Sequence, residues 1–366
     1  MGVKLQDLVI RNAIDFSKLA GKIIAVDAPN VIMSLFNFAR KNPDGSQAGF
    51  ILDRTQRPIS HLYGLLFRIN FFYSKKIFPI FCFDGLDSNL KKLKTKDRLN
   101  DFLFTEKLYR SLIQSGNREN AKQIALSKEY MWPNIIKESK QLLGALGIPY
   151  MSSPASAESQ CAQLVKSKMA HYSNSQDFDS LLFGCPQTIQ NLSKSLRRKV
   201  QGRWKYQKIT PVTIDLKENL KMLGIDQFKL VDMALLIGTD YFPGIRNIGP
   251  KHAYKFIKKH RCIENVLKEE KENYNFSALS SEIIRNVRKI FLLPEVLTEY
   301  PNLSWNFPSE QQTLNALCEN HHLNRERVEN NLKKLVTNYE RCQGFFSNKM
   351  KNPPKKQETL DTIFST

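Results

Sequence analysis

Residues 22–28, KIIAVDA, decide the fold: four apolar residues follow one another and stop at a carboxylate, Asp27. A short apolar run of this kind reads as a strand buried on both faces, as in a parallel sheet covered by helices. Residues 78–85, FPIFCFDG, repeat the pattern and deliver Asp84. Three more segments carry acids at the end of an apolar stretch. They are SAESQCA with Glu158, SQDFDSLLFG with Asp177 and Asp179, and LIGTDYFPGI with Asp240. One such acid is ordinary, because Asp often caps the helix that follows. Five such segments in one chain point to a common site, since ligands of open α/β sheets gather outside the carboxyl ends of the strands. Acids brought there from distant parts of the chain repel one another unless hard cations hold them, and an all-oxygen set suits Mg²⁺ or Mn²⁺. Paired metals about 3.5–4 Å apart are the apparatus of phosphodiester hydrolysis.

Composition bears on the substrate. The 366 residues hold 55 Lys and Arg against 35 Asp and Glu, a net charge of +20. That excess attracts polyanions and speeds encounter with them, although a soluble protein can also be basic without a polyanionic partner. Acids gathered in one cluster within a basic chain are what a metal-dependent nuclease needs. The chain is long enough for one large or two small domains. Its cysteines (82, 161, 185, 262, 318 and 342) form no CxxC pair or Cys/His ladder, so they read as reduced thiols of an intracellular protein without a zinc site. The N-terminus MGVKLQDLVI has no signal-peptide character, and Gln6 stands where a myristoylation motif has Ser or Thr. No run approaches the roughly 18–20 apolar residues of a membrane helix.

The rest of the chain supplies the surroundings. Residues 61–73 have helical periodicity. From about 86 to 131 the sequence is polar and weakly amphipathic, either a lid over the acids or a solvated excursion. Within it Lys91, Lys94 and Arg98 make one basic stripe on a helix, which an exposed face would also explain. A helix is expected over 133–146, ended by Gly147, followed by the strand IPYM and the helix of Glu158. Asp177 and Asp179 would share a face if the backbone there were extended. Residues 191–208 carry seven basic residues and no acid, with Trp204 and Tyr206 interleaved, and read as an exposed hairpin for nucleic acid or as a solvated loop. Residues 244–249, GIRNIG, separate two helices within 227–262, and glycines there leave backbone N–H groups free to meet a phosphate. Gly244, Arg246, Gly249 and Lys251 are the candidate DNA contacts of that element, followed by His252, Lys255 and Lys259. Beyond Phe346 the composition turns to Asn, Lys and Pro, as in a flexible tail.

Taken in order, MGVKLQDLV, IIAVDAPN, SHLYGLLFR, PIFCFDG, LLGALGIPY, SQDFDSLLFG and LLIGTDYFPGIRNIGPKHA resemble the flap endonucleases, the structure-specific 5′ nucleases of DNA replication and repair. The similarity spans essentially the whole chain, and SQDFDSLLFG and GTDYFPGI look closer to archaeal members than to eukaryotic ones. The resemblance implies an α/β fold with a central, mostly parallel twisted sheet flanked by helices, a helical arch over about 86–131 and a helix–two-turn–helix element over about 227–262. It implies one nuclease domain over 1–345, in an N-terminal part (1–105) and an internal part (132–260), then a tail over 346–366. It implies metal ligands at Asp27, Asp84, Glu158, Asp177, Asp179 and Asp240, for two Mg²⁺ that Mn²⁺ can replace. Lys91 and Arg98 fall at arch positions that reach the scissile phosphate, and Gly2, Arg40 and Arg68 at positions near the DNA junction. The carbonyls of Ile245 and Ile248 match those that hold K⁺. Gln357, Leu360, Ile363 and Phe364 have the spacing of a peptide that binds the sliding clamp (PCNA). The implied partners are branched DNA with a 5′ flap and that clamp, for an intracellular monomer in nucleoid or nucleus. Four departures stand out: Ser156 replaces a seventh acid, Met33 an aromatic residue, Gly244 a hydroxyl, and Ile363 an aromatic anchor. Apart from Glu158 no acid lies between Glu138 and Asp177, so a shift of register cannot supply the missing one.

Overall fold

A computed structural model describes residues 2–36, 51–85, 89–192, 195–200, 203–300 and 303–351, and for 36, 89–100, 128, 195–200, 203–208 and 348–351 it describes the backbone alone. KIIAVDA forms the strand expected of it: β2 (Ile23–Asp27) follows a short β1 (Asn12–Ala13), and β3 (Phe78–Phe83) lies parallel to β2 with Ile23 opposite Phe78. Side chains alternate between faces along a strand. Ile24 and Val26 therefore enter one core and Ala25 the other, so no face of β2 meets water. β4 (Tyr150–Ser152), β5 (Tyr172–Asn174) and β6 (Gln187–Gln190) extend the parallel set, and β9 (Val212–Asp215) and β1 close one edge antiparallel. The order is β1-β9-β6-β5-β2-β3-β4.

Helices cover both faces. On one side α1 (Ala28–Phe36), α2 (Ser60–Ser74), α5 (Lys128–Ala145) and the long α14 (Arg325–Lys351) bury Phe72, Phe81, Phe83, Leu142, Leu335 and Tyr339 together. On the other, α6 (Ala157–Lys166), α7 (Asp179–Leu182), α8 (Leu216–Leu223), α9 (Gln227–Ile237), α10 (Pro250–His260), α11 (Ile263–Glu269) and α12 (Ser281–Leu292) surround a second core. The short α13 (Glu310–Leu314) leads through one π-helical turn towards α14. Local chemistry sets the ends. Asp215 and Asp226 cap α8 and α9 by accepting from Glu218 N and Lys229 N, and Gly224 ends α8 in the left-handed conformation.

The polar insertion is helical: α3 (Asn89–Gln114) and α4 (Arg118–Ala125) pack around Tyr109, Ala121, Ala125 and Tyr130. Two boundaries move from their sequence reading. The helix placed at 133–146 begins at Lys128 and runs through Pro133, because Tyr130 is drawn onto the ring of Tyr109 at 4.9 Å. The tail read from 346 begins later: α14 continues to Lys351, and Phe346 packs edge-on against Phe78 at 5.1 Å. The basic hairpin is confirmed in its backbone, with β7 (Ser195–Val200) antiparallel to β8 (Arg203–Lys208) and Arg197 opposite Tyr206. Among the described residues no helix is long and apolar enough to cross a membrane.

Candidate active site

Four neighbouring parallel strands, β5, β2, β3 and β4, end at one edge of the sheet, and the acids follow them. Asp27 is the last residue of β2, and Asp84 directly follows β3. Glu158 lies in the first turn of α6 after β4, Asp177 and Asp179 come after β5, and Asp240 comes after α9. All six line one cavity of about 390 Å³, with Asn30, Met33, Ser156 and Tyr241 among its other walls. Asp177 and Asp179 do not reach it as neighbours on extended backbone. Asp177 lies in a bend and Asp179 opens α7, so a turn, not a pleat, aims both inward.

The carboxylates share a mode of support: protein donors hold Asp27, Asp84, Asp177, Asp179 and Glu158. Asp27 Oδ1 accepts from Asn30 N (3.3 Å), Asp84 Oδ1 from Ala157 N (2.8 Å) and Asp179 Oδ1 from Val3 N (2.7 Å). Asp177 Oδ2 accepts from Asn30 Nδ2 at 3.1 Å. Glu158 Oε1 accepts from the hydroxyls of Ser175 (2.7 Å) and Ser180 (3.1 Å). Sequence reasoning missed Asn30, Ser175, Ser180 and the Val3 amide. Only the first three left a signal, as polar residues inside IIAVDAPN and SQDFDS, where an apolar strand end has no use for them. Gly2 belongs to the same support: a Cβ there would lie 2.7 Å from Asp177 Cβ, so only glycine lets the N-terminal backbone approach this closely.

Crowded negative charge under burial raises the proton affinity of the site. Burial, then the charges of Asp84 and Asp177, push the Asp27 carboxyl up to about 7. Burial, then Asp240 and Asp177, push Asp179 up to about 6. Glu158 is raised for the same reasons, burial first and then Asp27 and Asp179. A cation relieves all three. Among the described residues the donors are all oxygen, with no His or Cys on the wall, which fits a hard divalent ion. Among the described residues no three acidic, His or Cys side chains close onto a single point. The six acids line the wall of the cavity instead of converging on one point.

The remaining predicted residues are placed as follows. Ser156 lines the cavity but its hydroxyl is engaged as the cap of α6, accepting from Ser159 N at 3.1 Å. Met33 is 44 % exposed on the cavity wall. Arg68, half-buried, donates to the Leu192 carbonyl at 2.7 Å and braces the approach to the hairpin, away from the cavity lining. Gly244 has φ +83°, and a Cβ there would meet the Ile237 carbonyl oxygen at 2.4 Å, so the turn requires glycine. Gly249 precedes Pro250 at the start of α10, where no side chain caps the first amides. Arg246 is exposed in that turn and Lys251 on the first turn of α10. Lys91 and Arg98 lie on the backbone of α3, and their side chains are outside what is described. Arg40 and the tail residues Gln357, Leu360, Ile363 and Phe364 lie outside the described residues.

A mostly parallel sheet with carboxylates ringed at its carboxyl edge defines a nuclease of the XPG type. Residues 1–101 match the XPG N-terminal domain and residues 147–240 the XPG I-region. Flap endonuclease 1 of Archaeoglobus fulgidus is 34 % identical over 92 % of this chain and 96 % of its own, and that of Thermococcus onnurineus 35 % identical over 92 % and 94 %. The solved flap endonuclease-1 of Methanococcus jannaschii superposes with a TM-score of 0.70 at 25 % identity, over 93 % of this chain and 99 % of that one. Human GEN1 in complex with Holliday junction DNA shares the fold at a TM-score of 0.63 and 19 % identity, over 93 % of this chain and 79 % of that one. The chain belongs to the flap endonuclease 1 family: it is a nuclease.

Proposed function

We propose that this protein is a divalent-metal-dependent endonuclease that hydrolyses branched DNA at the junction between a 5′ single-stranded flap and duplex, in replication and repair. The observation that carries the reading is the convergence of six acids, from five separate segments, on one cavity at the carboxyl edge of the sheet. Asp84, Glu158, Asp177 and Asp179 are the direct ligands for two Mg²⁺, or Mn²⁺, and Asp27 and Asp240 act through water. When bound, such a pair supplies an activated water and neutralises charge on the attacked phosphate. The chain's own residues do the rest. Asn30, Ser175, Ser180 and the Val3 amide hold the acids in place. Lys91 and Arg98, on the arch, stabilise the negative charge that develops on the phosphate. The uncapped start of α10, with Gly244, Arg246 and Lys251, takes the phosphates of the duplex. Ile245 and Ile248 offer carbonyls to K⁺ in the same turn. Met33 gives the base at the junction an apolar, non-stacking contact, and Gly2, Arg40 and Arg68 belong to the junction surface. Residues 357–364 bind the sliding clamp.

Ser156 favours a second reading, a junction-binding clamp partner with weakened catalysis, because it places a helix cap where a seventh acid would stand. Labelled 5′-flap, nicked, gapped and four-way DNA incubated with Mg²⁺, Mn²⁺ or EDTA separates the two. Cutting of the flap substrate beside its junction, abolished by EDTA, is expected. Tight flap binding without cutting by either metal would establish the binder instead.

A further inference from the structure

We infer that Ser175 and Ser180 restrict Glu158 to a single ligating oxygen and thereby set the preference of the site for small over large divalent cations, a reading that rests on the metal-dependent function proposed above. Both serines are buried, at 1 % and 0 % exposure. Each has one hydroxyl proton, and both point at the same atom, Glu158 Oε1, at 2.7 and 3.1 Å. Ser175 Oγ also lies 3.5 Å from Asp27 Oδ2, too long to compete for that proton, and it accepts from Asp177 N at 3.2 Å, which fixes the rotor. A carboxylate oxygen has about two lone-pair positions. Oε1 spends both on the serines, so Oε2 is the oxygen left to a side chain that lines the cavity.

Cation size gives this arrangement its consequence. Ca²⁺ takes six to eight oxygens at about 2.3–2.6 Å and readily accepts both oxygens of one carboxylate, whereas Mg²⁺ requires near-octahedral single-oxygen ligation at about 2.0–2.1 Å. Pinning Oε1 denies the larger ion its two-oxygen grip. Ser156 sharpens the effect, since α6 brings no second acid to the cavity and Glu158 is its sole ligand. Ser175 and Ser180 are thus positioning residues that act through Glu158. Simple support of the fold would make both ions bind worse by the same factor. Control of the carboxylate's mode of binding changes their ratio.

The test uses full-length protein without DNA, loaded with Mn²⁺ that is then displaced by Mg²⁺ or by Ca²⁺ and followed by EPR. Ser175→Ala, Ser180→Ala and the double variant are compared with wild type and with Ser175→Thr, and melting in metal-free buffer identifies any variant that fails to fold. The expected result is a ratio of Ca²⁺ to Mg²⁺ affinity that rises about tenfold in the double variant, the scale on which partners of ligands act. Each single variant should lie between, and Ser175→Thr near wild type. If Ser175→Ala does not fold, Ser180→Ala decides alone. A ratio unchanged in folded variants overturns the inference while leaving the metal site in place. Wild-type protein that binds none of the three ions removes the metal site and this inference with it.

Discussion

Ser156 shows how one position can trade charge for local structure. Its hydroxyl closes the N-terminus of α6, while Asp84 accepts from the neighbouring Ala157 amide, so two donors of that helix end are satisfied beside the cavity. Ser156→Glu adds a carboxylate to the proposed cation site, where opposite charge is favourable. The substitution should lower the Mg²⁺ concentration for half-maximal cleavage, and in metal-free buffer it should cost about 1 kcal/mol through loss of the cap. Titration of rate against Mg²⁺, with melting in the presence and absence of the ion, checks both halves. A second residue-scale prediction concerns pH. Asp27 and Asp179 have folded-state values raised to about 7 and about 6 from an ordinary 3.8. The folded metal-free protein therefore holds more protons than the unfolded chain across that interval, and it loses stability as pH rises through it. Cations relieve the same repulsion and compete with the same protons. The gain in melting temperature on adding Mg²⁺ should accordingly grow between pH 5.5 and 8, and a gain independent of pH would disconnect these acids from the ion.

At the scale of elements, the helical insertion is tied to the body through α3. The Tyr109 hydroxyl of α3 donates to the Thr55 carbonyl at 2.5 Å. Beside it the buried Asp53 meets His321 Nδ1 at 3.0 Å and Arg57 Nε at 3.2 Å, and Glu138 meets His61 Nε2 at 3.2 Å and His321 Nε2 at 3.4 Å. His321→Ala leaves two buried carboxylates short of a partner and should cost about 3 kcal/mol by chemical denaturation. Lys91→Ala and Arg98→Ala, in the same insertion, should slow single-turnover cleavage at least tenfold while weakening flap binding little; lost affinity at an unchanged rate would make them ordinary phosphate contacts. Legibility also divides by element. β2 and β3 were plain in the sequence because both faces of each are buried and the apolar run is unbroken. Asp177 and Asp179 were singled out together, but they would share a face only on extended backbone, and Gln176, Asp177 and Phe178 form a bend that spacing does not reveal. The Asp53–His321 pair was invisible, since 268 residues separate partners that carry no local pattern.

At the scale of the molecule, a net charge of +20 coexists with a ring of carboxylates, and in the proposed reaction the two have different tasks: the basic surface meets phosphates and the acids hold cations. Flap-DNA affinity should fall about a thousandfold between about 50 and about 200 mM salt through counterion release. Removal of residues 353–366 should leave cleavage of a small flap unchanged and abolish its stimulation by the sliding clamp, with Phe364→Ala reproducing most of the loss. Equal stimulation of full-length and shortened protein would make the tail motif coincidental. The organisation of the whole was legible because the five acid-bearing segments each read locally. The N-terminal part of the support that aims the acids was not, because Val3 and Asp179 lie 176 residues apart and meet only in the fold. The central claim, that these acids hold the cations of the reaction, is tested most directly by Asp179→Ala, with single-turnover cleavage and flap affinity measured on the same 5′-flap DNA. The predicted result is a rate lowered by at least a thousandfold, on the order of 4 kcal/mol in the barrier, with affinity within a few-fold of wild type. Cleavage at a near-normal rate would contradict it.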